Sequence, residues 1–340
     1  MQKTIELTRR PRLCAGAAIA GKKEGEGPLG SQFDQVIQDD LFGQDTWEQA
    51  ECRFFQTACD TCLTKAGLAD SAVDVMLGGD LLNQITSASM AARALRIPFL
   101  GLYGACSTMA ESLCVGAMLV DGGHVRTALC AASSHFCSAE RQYRFPLEYG
   151  NQRTPTAQWT VTGSGAALLS SREDLPAIAC CTHVTIGRVN DLGIADANNM
   201  GAAMAPAAAD TLTRHFRDLS RTPGDYDLII TGDLGRVGRD ILLELMKERG
   251  LPLIFEKYVD CGLMVFSPNQ DVHAGGSGCG CSAIVLNSRI LSMLRSGQVR
   301  RVLFMATGAL LSTTTCQQGE TIPGIAHAIV LEGCAPCSGA

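Results

Sequence analysis

The sequence predicts an α/β protein built from two related halves, residues 1–172 and 173–340. Three observations predict this class. A strand-and-turn motif occurs twice, as Asp74-Val-Met-Leu-Gly-Gly79-Asp80-Leu81 and as Asp227-Leu-Ile-Ile-Thr-Gly232-Asp233-Leu234. A thiol followed by an apolar helical run also occurs twice, from Cys106-Ser107 to Val120 and from Cys281-Ser282 to Leu294. Each run leads through a Gly-bearing turn and a Val-Arg pair into an apolar strand, Ala128 to Ala132 in one half and Val302 to Ala306 in the other. Finally, near-continuously apolar strands alternate with helical stretches, which predicts parallel strands covered on both faces by helices.

Each element has a local reason. Trp47 to Ala66 and Ala207 to Leu219 carry helical periodicity ahead of the two repeated strands, and Pro206 predicts a break before the second. Ala110 to Val120 is apolar nearly all round, so that helix belongs in the interior. Two related halves with a buried helix after each Gly-rich turn predict a pocket at their join. Three segments read as polar insertions: Gly16 to Gly30 with Lys22 and Lys23, Ser133 to Val161 rich in Arg, Tyr and Gln, and Gly187 to Asn199. Long loops of this kind are functional or lie at interfaces.

Composition excludes several functions. Apolar residues make up 46% of the 340 and charged residues 18%, enough to bury a sizeable core. The net charge of −6 comes without any run of Lys or Arg, which argues against nucleic acid as a partner. No apolar run reaches the roughly 20 residues of a membrane span, and Met1 to Arg10 is polar rather than signal-like. Sixteen Cys in a chain expected to stay in a reducing compartment read mainly as small core residues. Cys59-Asp-Thr-Cys62 and Cys334-Ala-Pro-Cys337 could in principle hold zinc, but neither sits in a Gly-rich knuckle, and no metal site is expected.

The chemistry-bearing candidates centre on Leu100-Gly-Leu-Tyr-Gly104-Ala-Cys106-Ser107-Thr108, a strand, tight turn, thiol and helix. A thiol at a helix N-terminus feels the positive end of the dipole, which lowers its pKa. The alternative is a buried Cys that starts a core helix. A nucleophile needs a base. His124 follows the far end of the helix, whereas His135 follows the strand beside the elbow and either enters the pocket or hydrogen-bonds its own loop. His183 and His215 have no motif around them, His273 precedes a Gly-Gly turn, and His327 lies in an apolar strand as a core residue. Asp80 with Asn83, and Asp233, stand at the carboxyl ends of strands, where open sheets place ligands; each Asp could equally cap the next helix. Arg141, Arg144 and Arg153 supply local positive charge that suits a carboxylate ligand or a solvated loop.

Taken together, these stretches resemble the thiolase-like superfamily and, within it, the stage V sporulation protein AD family. The resemblance rests on Gly27-Pro-Leu-Gly30, Gly79-Asp-Leu-Leu-Asn-Gln84, Gly104-Ala-Cys-Ser-Thr108, Ala139-Glu-Arg-Gln142, Val161-Thr-Gly-Ser-Gly165, Met204-Ala-Pro-Ala-Ala-Ala-Asp210, Ala274-Gly-Gly-Ser-Gly-Cys279 and Thr307-Gly-Ala-Leu-Leu-Ser312. It implies a thiolase-like fold of duplicated αβαβα halves with layered sheets and buried central helices, and a homodimer. It implies a non-catalytic protein that binds dipicolinic acid, or its calcium chelate, for uptake into the developing spore. Other spore membrane channel proteins would be its partners, and it would sit peripherally at the spore inner membrane. Calcium would arrive with the ligand, and no resident cofactor is expected. The ligand set expected is Cys106, Ser107, His135, Asp80, Asn83, Asp233 and Arg141. The rival function is a Cys-dependent condensing enzyme or acyltransferase. Condensing enzymes pair the elbow thiol with a His and with a second His or Asn. The first position falls here at Gly232-Asp233-Leu234 and the second near Gly275 to Cys281, with neither residue type in place.

Overall fold

The computed structural model describes residues 4–143 and 153–334. Arg144 and Cys337, both named above, lie outside the described residues. In chain order the strands are β1 (Thr4–Glu6), β2 (Arg12–Gly21), β3 (Gln35–Ile37), β4 (Val75–Gly79), β5 (Phe99–Gly101), β6 (Thr127–Ser134) and β7 (Trp159–Thr160). They continue as β8 (Gly163–Ser170), β9 (Ala179–Thr185), β10 (Leu228–Thr231), β11 (Tyr258–Asp260), β12 (Gly276–Ser277), β13 (Arg301–Ala309) and β14 (Gly324–Gly333).

The strand order runs β11-β10-β13-β14-β9-β2-β8-β6-β4-β5. Each five-strand set has the same internal order, and in each four strands run one way and one runs the other. The expectation of wholly parallel sheets is therefore corrected: β8 and β14 run against their neighbours. The two sets meet through a short antiparallel junction, Arg12 opposite Cys180 and Leu13 opposite Ala179.

Three cores separate the layers. Outer helices Trp47–Ala66 and Thr86–Leu95 bury Phe54, Phe55, Ala58 and Ala91 against one sheet face. Helices Met200–Leu219 and Gly235–Glu248 do the same on the far side through Leu212, Phe216 and Met246. Between the sheets lie the elbow helix Thr108–Asp121 and a helical run over 279–295, with Met109, Leu113, Ile284 and Leu291 in the central core. The elbow helix touches β6 of its own half and β14 of the other, so it is buried as its composition predicts.

Two boundaries differ from expectation. The helix ending at Leu219 begins at Met200, because Asn199 caps it by accepting from the Ala202 N–H at 3.4 Å; Pro206 is carried inside it. Within Ser133 to Val161, residues Phe136–Tyr143 form a helix, not a loop. Cys59 and Cys62 are packed inside the Trp47–Ala66 helix face, and no cluster of three metal-ligating side chains occurs among the described residues.

Candidate functional site

The chain leaves β5 and turns sharply at Ala105, whose φ of 50° is left-handed, to present Cys106 at the head of the elbow helix. Local hydroxyls tie this turn. Ser107 Oγ donates to the Gly104 carbonyl at 2.7 Å, and Thr108 Oγ1 donates to the Ala105 carbonyl at 2.7 Å. Gly308 of β13 backs the elbow; a Cβ there would stand 2.2 Å from the Gly104 oxygen, so only glycine permits the approach.

Cys106 is 6% exposed, at the foot of a cavity of about 70 Å³. Tyr103, Glu140, Tyr143, Thr160, Asn198 and Ser277 supply its other polar lining. Tyr143 donates to the Leu81 carbonyl, and the Tyr103 and Tyr143 hydroxyls are 3.1 Å apart. Burial pushes both phenols up, so both are neutral. These two rings also border a groove of about 440 Å³ that reaches Asn83, Ser312 and Thr313.

Behind Cys106 stands Asp233, fully buried. Its Oδ2 accepts from the Gly278 N–H at 2.9 Å and its Oδ1 from Thr307 Oγ1 at 2.9 Å. Burial pushes Asp233 up to about 7, against the pull of these donors. Cys106 is pushed well above the ordinary thiol range, first by burial and then by the Asp233 charge. The expected lowering by the helix N-terminus is thus overturned: burial, helped by the neighbouring carboxylate, holds the proton on sulfur. General acid–base help is worth about 100- to 10,000-fold, and no imidazole stands in the described lining beside Cys106 to deliver it.

The structure brings Cys106 and Asp233 together and sends the other expected ligands elsewhere. His135 is buried against Phe54; its Nε2 bonds the Asp40 carbonyl at 2.8 Å and its Nδ1 accepts from the Cys137 N–H at 3.1 Å. Burial lowers its pKa, so it is a neutral loop fastener outside the cavity. Arg141 lies on the outer side of its helix, paired with Glu48 and 5.6 Å over the Trp47 ring. Ser107 is spent within the elbow. Asp80 accepts from the Leu82 N–H at 2.8 Å and the Ala88 N–H at 2.7 Å, so it braces the entry to the next helix. Asn83 lines the outer groove, not the inner cavity. His273 bonds the Thr154 carbonyl and Asp271, and Arg153 lies 4.6 Å over Trp159, both away from Cys106. His327 accepts from the Gly187 N–H, and His215 is held between Thr185 and Tyr226, its pKa pushed down to about 3 by burial.

Sequence reasoning missed Glu140, Tyr143, Asn198 and Ser277 as cavity residues. Two signals were present: Asn198 ends the polar insertion 187–199, and Glu140 and Tyr143 fall in the Arg- and Tyr-rich stretch after β6.

Comparison with known proteins agrees with this architecture. The family described as Stage V sporulation protein AD matches residues 1–332. Stage V sporulation protein AD of Bacillus subtilis (strain 168) is 52% identical over 318 residues, covering 94% of this chain and 93% of the relative. Among solved structures, human mitochondrial 3-ketoacyl-CoA thiolase in complex with CoA has a TM-score of 0.59 at 13% identity, over 98% of this chain and 100% of that one. A tetronic acid condensing enzyme has a TM-score of 0.59 at 20% identity, over 95% and 100%. The 3-oxoacyl-[acyl-carrier-protein] synthase III of Aquifex aeolicus VF5 has a TM-score of 0.56 at 12% identity, over 95% and 99%. These likenesses establish the thiolase-like fold.

Proposed function

The chain belongs to the stage V sporulation protein AD family, and from that premise we propose that its Cys106 cavity binds dipicolinic acid or its calcium chelate without turning it over. The observation that carries the reading is the lining of the cavity around the buried Cys106. A thiol that burial keeps protonated suits a pocket wall better than a nucleophile, which needs the thiolate. The described lining offers hydroxyl, amide and carboxylate groups and no Lys, Arg or His. Such a lining suits the chelate, in which calcium cancels the ligand's two charges. Calcium takes six to eight oxygen ligands, and the pyridine dicarboxylate supplies only part of that set. Glu140, Asn198, Thr160 and Ser277 bring side-chain oxygens to the cavity beside the Tyr103 and Tyr143 hydroxyls.

On this reading the protein delivers its ligand to a membrane channel assembly at the spore inner membrane during sporulation. No helix among the described residues is long and apolar enough to cross a membrane, and attachment is assigned to partner subunits. A second copy of the chain is assigned to the open edge at β5, where Leu100 is 48% exposed and Met90 on the next layer is 43% exposed.

The test is calorimetric titration of the full chain with dipicolinate, with and without equimolar calcium. Saturable binding that Cys106→Phe abolishes supports the reading. No heat at millimolar ligand, or binding indifferent to Cys106→Phe in folded protein, overturns it. The rival reading, acyl transfer, is favoured by the preserved elbow. It requires a covalent acyl adduct on Cys106 after incubation with acyl-thioesters, read as a mass increase of the intact protein; none is expected.

A further inference from the structure

Away from the Cys106 cavity, the junction between the two sheets gathers thiols. Cys180 of β9 and Cys334, the residue after β14, have their sulfurs 3.6 Å apart, although 154 positions separate them in the chain. The ladder holds them there. Cys180 faces Glu332 and Ala179 faces Gly333 in the antiparallel register, and the Cys334 N–H donates to the Ile178 carbonyl at 3.1 Å. The pair is therefore a same-face diagonal across two bonded strands, and it is the two side chains reaching toward each other that bring the sulfurs to 3.6 Å. A disulfide needs sulfurs about 2.05 Å apart, and the remaining shift of about 1.5 Å is within reach of side-chain rotation at a strand end.

The surroundings favour access. Both residues are half-buried, unlike Cys181 next door, which is fully buried on the opposite face of β9. A cleft of about 910 Å³ opens beside Cys334, bordered by Arg12, Cys14, Lys65 and Arg295. Burial pushes the Cys14 and Cys334 thiols up to about 11, and Arg12, which pairs across the junction with Cys180, offsets part of that rise.

We propose that Cys180 and Cys334 form a reversible disulfide on exposure to a hydroperoxide, fastening the end of β14 to β9. One thiol sulfur attacks the peroxide, the O–O bond breaks, and a sulfenic acid and an alcohol result. The second thiol then displaces hydroxide from the sulfenic sulfur. Two thiols and one hydroperoxide thus give one disulfide, one alcohol and one water. The proposal stands independently of what the Cys106 cavity binds.

The experiment treats the folded full chain with tert-butyl hydroperoxide, alkylates remaining thiols without reduction, digests the protein and maps cross-linked peptides by mass spectrometry. The expected product joins the Cys180 and Cys334 peptides, lighter by two hydrogens, and dithiothreitol reverses it. Cys180→Ser and Cys334→Ser each abolish it, and Cys181→Ser and Cys337→Ser each retain it; circular dichroism before oxidation shows every variant folded. A cross-link from Cys334 to Cys337 or Cys14 in place of Cys180 overturns the proposal. So does persistence of the cross-link in Cys180→Ser. Absence of any cross-link, with the half-buried Cys52 and Cys316 fully oxidised, overturns it as well.

Discussion

Two turns of this molecule carry the same three residues and do different work. Gly79-Asp80-Leu81 ends β4, and Gly232-Asp233-Leu234 ends β10. Asp80 spends both carboxylate oxygens on backbone N–H groups just downstream, at Leu82 and Ala88. Asp233 spends neither on its own helix entry. Asp260 of the adjacent strand accepts there instead, from the Leu234 N–H at 2.9 Å and the Gly235 N–H at 3.0 Å. Register explains the difference. Thr231, just before the second motif, pairs with Asp260, whereas Gly78, in the matching place of the first, pairs with Gly101, which has no side chain to lend. With its local duty taken over, Asp233 reaches Gly278 and Thr307 beside the Cys106 thiol. The fate of a repeated Asp is thus decided on a neighbouring strand.

The largest effect that sharpens this contrast is on stability against pH. Burial raises Asp233 in the folded protein to about 7. Below about pH 4 both folded and unfolded chains hold the proton and its stabilising contribution is complete. As pH rises toward 7 the unfolded chain releases the proton first, so stability falls by about 1.4 kcal/mol per pH unit, on the order of 4 kcal/mol across the window. Asp260, pushed up to about 6, adds a slope of the same sign. Asp233→Asn removes the Asp233 part alone. Urea midpoints measured from pH 4 to 8 should show the variant gaining on the native protein as pH rises; parallel curves would sink the account.

Next in size is Asp80→Ala. It strands two buried N–H groups, and unsatisfied donors cost roughly 1–3 kcal/mol each. Removal of a like charge beside the buried Glu51 offsets part of this. A net loss of about 2 kcal/mol is expected by thermal denaturation, with no change in Cys106 reactivity. The third effect is that reactivity. Asp233→Asn takes away a charge that, after burial, helps to hold the proton on sulfur, so alkylation of Cys106 by iodoacetamide at fixed pH should quicken. An unchanged rate would mean that burial alone sets the thiol.

What could be read in the sequence follows from where each signal lives. The duplicated halves and the buried elbow helix were legible because apolar periodicity and repeated turns are local properties of the chain. The Pro206 break was misread, since helix entry was decided by the Asn199 cap and by packing of the Ala-rich face. In the site, Cys106 and Asp233 were legible as positions, because an elbow and a strand end mark themselves. The hydrogen bonds that fix Asp233 were not, since they depend on Asp260 of β11, on Gly278 just after β12 and on Thr307 of β13. His135 and Arg141 were placed by proximity in sequence to a strand end. One residue's rotation along β6 and its following helix turns such side chains to the outer layer, and nothing local records that rotation.

The smallest expected effect tests that last point. Arg141 is the residue whose chemistry best suits a dicarboxylate, and the structure places it on the far side of the helix that lines the cavity. Its guanidinium is half-exposed, paired with Glu48 and laid over Trp47. Exposed pairs of this kind contribute about 0–1 kcal/mol, and salt screens them further. Arg141→Ala should therefore lower stability by less than about 1 kcal/mol. In the calorimetric titration it should leave dipicolinate affinity within about twofold of the native protein, where Cys106→Phe removes binding altogether. A loss of tenfold or more in Arg141→Ala, with stability intact, would show that ligand engages the outer face of the Phe136–Tyr143 helix. The two Gly-Asp-Leu turns would then both lie remote from the bound molecule, and the Cys106–Asp233 pair would be a device of the core alone.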